Sequence, residues 1–161
     1  MVHFGQDRHT DYTAPGINGL RTTTLGRGAP TMKKELVVGA GMTQPDVPFS
    51  VAIRVQARET LYIAGQVPTD ADGNVVGRGD IEAQTRHVFG LIEAVLAAAG
   101  ATFKNVVALN IYVTDIRFRE TITKVRREIL EAPYPATTLV EVSSLASEDW
   151  LVEIDGVAGL D

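Results

Sequence analysis

Glu153 and Asp155 stand two positions apart in Val152-Glu153-Ile154-Asp155-Gly156, a spacing that puts both carboxylates on one face of an extended strand and Val152 and Ile154 on the other. A carboxylate in that setting either lies in solvent or borders a cleft, where it can orient water or move a proton. Glu141 is a third acid in a strand-like segment. The other chemistry-bearing residues are weaker candidates. His3 and His9 fall in a stretch without periodicity, and His87 sits beside Arg86 in a helical pattern. None has an obvious partner, so neither a metal site nor a Ser/His/Asp triad is expected. Thr69-Asp70-Ala71-Asp72-Gly73-Asn74 invites comparison with a calcium loop, but its glycine comes too early and the bidentate glutamate is missing, so the segment reads as a turn. Gly77-Arg78-Gly79-Asp80 could receive an anion at a helix start, although a helix-leading turn needs no ligand.

Composition removes further classes. The chain has 161 residues and no cysteine, which excludes disulfides, thiolate zinc sites, iron-sulfur clusters and a cysteine nucleophile. Fifteen basic and twenty acidic side chains leave a net charge of −5, so nucleic acid is not an expected partner. No run approaches the ~18 apolar residues of a membrane span, and no signal peptide is evident, so no membrane association and a cytoplasmic location are expected.

The elements that must position these residues are short and well punctuated. Residues 1–31 are rich in Gly, Thr and Arg and lack a hydrophobic period, so they are expected to be an extension, flexible or arm-like, outside a domain over 32–161. Ser50–Val55 and Leu61–Ala64 read as strands joined through Ala57-Arg58-Glu59. Asp80 is a natural N-cap for a helix whose apolar residues recur from Ile81 through Val88, Ile92, Val95 and Leu96 to Ala99, with Gly100 as its left-handed stop. Val106–Val113 has strand character, and Asp115 can cap a second helix over 116–131. That helix carries Phe118, Ile122, Val125 and Ile129 on one stripe. Its basic residues Arg117, Arg119, Lys124, Arg126 and Arg127 are expected to form a solvated face. Strands over Thr137–Val142 and Leu151–Ala158 complete a β-β-α-β-α-β-β order, which implies an α+β layer of two helices on a mixed sheet. The sheet face without helices would need a partner, most simply in a closed cyclic oligomer.

Three groups of residues give a sharper expectation. These are Tyr62-Ile63-Ala64-Gly65-Gln66-Val67-Pro68, then Asn110-Ile111-Tyr112-Val113-Thr114-Asp115, and finally Pro135-Ala136-Thr137-Thr138-Leu139-Val140-Glu141-Val142 followed by Val152–Ala158. In these, and over about Phe49 to Ala158, the chain resembles the RidA (YjgF-like) reactive-intermediate deaminase family. The resemblance implies a chorismate-mutase-like fold and a homotrimer with a barrel-like core and ligand clefts between subunits. It also implies cofactor-free, metal-free hydrolysis of enamines or imines derived from amino acids to ammonia and a keto acid.

Residue by residue, the resemblance makes Glu153 the catalytic acid that orients or relays a proton to water, and Gly65 the glycine whose backbone approaches the ligand. Phe49, Asn110, Thr137 and Leu139 are the other candidate substrate contacts. The departures are specific. Thr137 stands where the family carries the arginine that grips the substrate carboxylate, Ala64 replaces a serine, Thr123 an asparagine, and Phe49 a tyrosine. Loss of a buried arginine–carboxylate pair removes roughly 2–5 kcal/mol of recognition, so ordinary 2-imino acids are expected to bind poorly. A base such as Arg54, or one from the second helix, could substitute from another direction. Three readings follow: a deaminase for a different substrate, a non-catalytic trimer that binds a small metabolite, and RNA cleavage. The acidic balance and the absence of a positioned histidine disfavour the last.

Overall fold

The computed structural model describes residues 32–161, so the expected extension over 1–31 lies outside the described residues. The elements run β1 (Lys33–Leu36), β2 (Ile53–Gln56), β3 (Glu59–Gln66), α1 (Ile81–Ala98), β4 (Val106–Val113), α2 (Arg119–Ile129), β5 (Ala136–Glu141) and β6 (Val152–Leu160). The main sheet has the order β3-β6-β4-β5, with β4 and β5 parallel and the other pairs antiparallel. Both helices pack on one of its faces, giving the two-layer α+β arrangement expected from the sequence.

Strand alternation decides which face each side chain takes. Leu109, Ile111 and Val113 of β4, and Val152, Ile154 and Ala158 of β6, are buried against Val88, Phe89, Ile92 and Leu96 of α1 and Ile122 and Val125 of α2. The intervening residues point to the open face, where Tyr62 is 79% exposed and Val140 40%. Register carries the rule to β5: Thr137 lies opposite Leu109 and Leu139 opposite Ile111, so both belong to the helix side.

Capping follows the sequence signals. The Asp80 carboxylate accepts from the Ala83 N–H at 3.0 Å. Gly77 has φ +66°, and a Cβ there would come within 2.7 Å of the Ala83 Cβ, so the glycine is explained by the turn that brings the chain into α1. Arg78 pairs with Asp149. The Asp70 carboxylate accepts from the backbone N–H groups of Asp72 and Asn74, the closed turn expected of that loop.

Three expectations need correction. β2 does not continue into the main sheet beside β3. It pairs antiparallel with β1 in a separate two-stranded ribbon, because the chain turns away at Ala57-Arg58 while Glu59 takes up register with Leu160. The second helix begins as a 3-10 turn over Ile116–Phe118, capped by Asp115, becomes α-helical at Arg119 and ends at Ile129. Its short first turn is braced by the Glu141 carboxylate, which accepts from the Ile116 N–H at 2.8 Å. His87 does have a partner: its Nε2 lies 2.8 Å from the Thr69 carbonyl oxygen and ties the polar loop to α1.

Candidate active site

The predicted site residues divide into two groups on opposite faces of the main sheet. The first surrounds a cleft of about 410 Å³ between α2, the edge strand β5 and the segment before β2, a volume suited to a small metabolite. Phe49 is brought there by Ser50, whose N–H donates to the Pro135 carbonyl at 3.1 Å and whose hydroxyl donates to the Tyr134 carbonyl at 2.6 Å. Ser50 thereby extends the sheet beyond β5 through a parallel bridge to Ala136. Gln44 braces the same segment by accepting from the Val51 N–H at 3.1 Å. Thr137 and Leu139 face α2 across the cleft, and Arg119, Glu120, Thr123 and Arg126 project from the helix.

Arg126 is the residue that sequence reasoning misplaced. The basic residues of α2 are not all a solvated face, because Arg126 is only 4% exposed. Its Nη2 donates to the Thr137 hydroxyl at 3.0 Å and to the Pro48 carbonyl. The Thr137 hydroxyl donates to the Pro135 carbonyl at 3.2 Å, which leaves a hydroxyl lone pair for the guanidinium. Arg126 Nε is buried without a partner, and burial pushes the pKa of the group down from its ordinary value to about 10. A signal was present in the sequence: Arg126 falls four residues after Ile122 and three before Ile129, on the apolar stripe itself. Two other bases of α2 are engaged at the surface, Arg127 donating to the Asp46 carbonyl at 2.6 Å and Lys124 pairing with Glu82 at 3.2 Å, while Arg119 is exposed at the cleft. Arg54, the other suggested substitute, pairs with exposed Glu35 in the β1–β2 ribbon.

The second group lies on the open face. Glu153 is half-buried opposite Tyr112, and its carboxylate covers Gly65: a Cβ at residue 65 would meet Glu153 Cδ at 2.9 Å and Cγ at 3.1 Å. Any larger residue there would displace the acid. Glu153 makes no ion pair or side-chain hydrogen bond among the described residues. The neighbouring acid is engaged. Asp155 accepts from the Asn110 amide at 2.8 Å and from the Tyr112 hydroxyl at 3.0 Å. That bond to Asp155, with some burial and the nearby negative charge, raises the Tyr112 phenol above its ordinary value.

The fold therefore brings Phe49, Thr137 and Leu139 together, and separately brings Gly65 to Glu153, with Asn110 on the same open face but bonded to Asp155. The sheet lies between the two groups within one chain. Among the described residues no cluster of His, Asp and Glu could hold a metal, and no helix is long and apolar enough to cross a membrane.

Comparison with known proteins agrees with this architecture. The family model described as endoribonuclease L-PSP matches residues 42–160. A RutC family protein of Pyrococcus horikoshii is 36% identical over 125 residues, covering 78% of this chain and 97% of that protein. The 3-aminoacrylate deaminase RutC of Acinetobacter baylyi is 35% identical, covering 79% and 98%. Among solved structures, the conserved Rid family protein YyfB of Yersinia pestis, described as of unknown function, superposes with a TM-score of 0.72 at 35% identity, over 79% of this chain and 98% of that one. With the helix layer, the mixed sheet and the Gly65–Glu153 contact in place, these matches establish that the chain belongs to the RidA/YjgF-like family.

Proposed function

We propose that this protein hydrolyses a small, reactive enamine or imine without a cofactor, releasing ammonia and a carbonyl compound. An enamine first takes a proton at its β-carbon, and an imine at its nitrogen, to give the iminium; water then adds to the C=N carbon, the C–N bond of the resulting carbinolamine breaks, and nitrogen leaves as ammonia. Glu153 holds the water and carries its proton towards the departing nitrogen, while the exposed Gly65 backbone offers polar contacts to the ligand. The observation that carries this reading is the unpartnered Glu153 carboxylate held against a glycine on an open sheet face. The RutC relative, named for an aminoacrylate, supports the reaction class because that compound is itself a small enamine.

In this reading the site is completed between copies. Glu153 and Gly65 of one protomer face the Phe49–Thr137–Leu139 cleft of its neighbour in a homotrimer, and the exposed Tyr62 and Val140 are covered in the same assembly. An ordinary 2-imino acid clamped by an arginine at position 137 is not the substrate, since that position holds a hydroxyl; any acid group must be met by another element.

The test is ammonia release from a panel of enzymatically generated enamines and imines, with sedimentation equilibrium for the trimer. Glu153→Gln is expected to abolish most turnover while leaving the assembly intact. Saturable metabolite binding with no turnover across the panel would replace this reading with that of a non-catalytic binding protein.

A further inference from the structure

The guanidinium of Arg126 is a charge in the wrong place for a purely structural residue. It is buried, it lines the cleft under α2, and no carboxylate lies within ion-pair distance of it among the described residues. Its named hydrogen bonds go to a carbonyl and a hydroxyl, both from Nη2. Of the five N–H groups of an arginine, Nε is sealed in without an acceptor. Burial of a cation without a counter-ion is costly, and bonds to neutral oxygens recover only part of that cost. A neutral donor could have served Pro48 and Thr137 equally well. Glu120, at the mouth of the same cleft, is exposed and forms no ion pair among the described residues, while Arg119 adds a second positive charge there.

We propose that Arg126, entering from α2, is the carboxylate anchor of this cleft, and that the ligand is a small organic acid whose carboxylate supplies the missing counter-ion. This rests on the reading of the cleft as the substrate side of the site, and it reverses the sequence expectation of a less anionic substrate. Thr137 is then a support. By accepting from Nη2 it holds the planar head of Arg126 against β5.

The probes are pyruvate and its neutral isostere pyruvamide, titrated by calorimetry into the full chain. Pyruvate is expected to bind at least about tenfold more tightly than pyruvamide. Arg126→Gln should erase that preference, and adding Thr137→Arg in the same chain should restore it, a rescue that a merely structural role does not produce. Thr137→Arg alone should fail to strengthen pyruvate binding, because it sets two guanidinium groups side by side.

Equal binding of acid and amide by the parent, binding of neither, or an unchanged preference in folded Arg126→Gln would overturn the assignment. If that variant does not fold, the Arg126 Nε–H resonance of the parent decides instead. It should shift on addition of pyruvate and not of pyruvamide, and a silent resonance counts against the anchor. A preference that depends on Arg126 without any ammonia release would leave the anchor standing and remove the deaminase reading. Turnover with no such dependence would do the reverse.

Discussion

The two faces of the main sheet handle charge in opposite ways. Under α2 one cation, Arg126, is buried, bonded only to neutral oxygens among the described residues, and depressed in pKa by loss of water. On the open face two acids share a strand, one satisfied by Asn110 and Tyr112 and the other left unengaged against a glycine. A buried group short of partners is expensive, and a half-exposed acid with none is unconstrained by anything but its strand. The protein thus sets a buried cation without a counter-ion and an unengaged acid on opposite faces of one sheet, as a bipolar ligand held between copies would require.

The largest expected effect sharpens the open-face half. Glu153→Gln should reduce ammonia release by about two to three orders of magnitude with little change in melting temperature, the range for loss of a positioned acid-base group. A parent-like rate would remove Glu153 from the reaction. Gly65→Ala comes next. The added methyl must push the Glu153 carboxylate aside, so turnover should fall roughly ten- to a hundredfold, a scale typical of a misplaced group. A crystal structure of the variant should show Glu153 in a different rotamer.

On the cationic side the expected effect is one of stability. The folded protein holds Arg126 at about 10, below its ordinary value, so the unfolded chain binds the proton more tightly. The burial cost is therefore fully present below about pH 10 and is relieved as pH rises through that value towards the ordinary arginine range. Urea unfolding of the parent and of Arg126→Met should accordingly diverge between pH 9 and 11, with the parent gaining relative to the variant. Parallel curves would mean that the guanidinium is better hydrated than its burial implies. The smallest effect belongs to Tyr112→Phe, which removes one part-buried hydrogen bond to Asp155 and should cost about 1 kcal/mol. In the parent, spectroscopic titration should find a tyrosine ionising above the ordinary phenol value, and that step should disappear in Tyr112→Phe.

Much of this arrangement was legible in the residues before the fold was known. The alternation of Val152, Glu153, Ile154 and Asp155 assigns faces with no further information, and Asp80 and Gly100 bracket α1 because capping is local chemistry. What escaped was non-local. Lys33–Leu36 is too short and too charged to read as a strand, and β2 finds it only because the chain folds back over the Gly-, Pro- and Thr-containing loop of residues 37–52. The burial of Arg126 likewise depends on Pro48 and Thr137 arriving from distant parts of the chain. Its place on the apolar stripe of α2 was visible, but a helical wheel does not reveal what lies opposite.

The placement of the two halves on opposite sides of the sheet has a genetic corollary. If each pocket borrows its acid from one copy and its cation from the next, a chain lacking Glu153 still owns a sound cleft, and a chain lacking Arg126 still owns a sound acid. Co-refolding the two inactive chains should regenerate hybrid junctions with every part present, so that a mixture of two dead proteins recovers a fraction of the parent's activity.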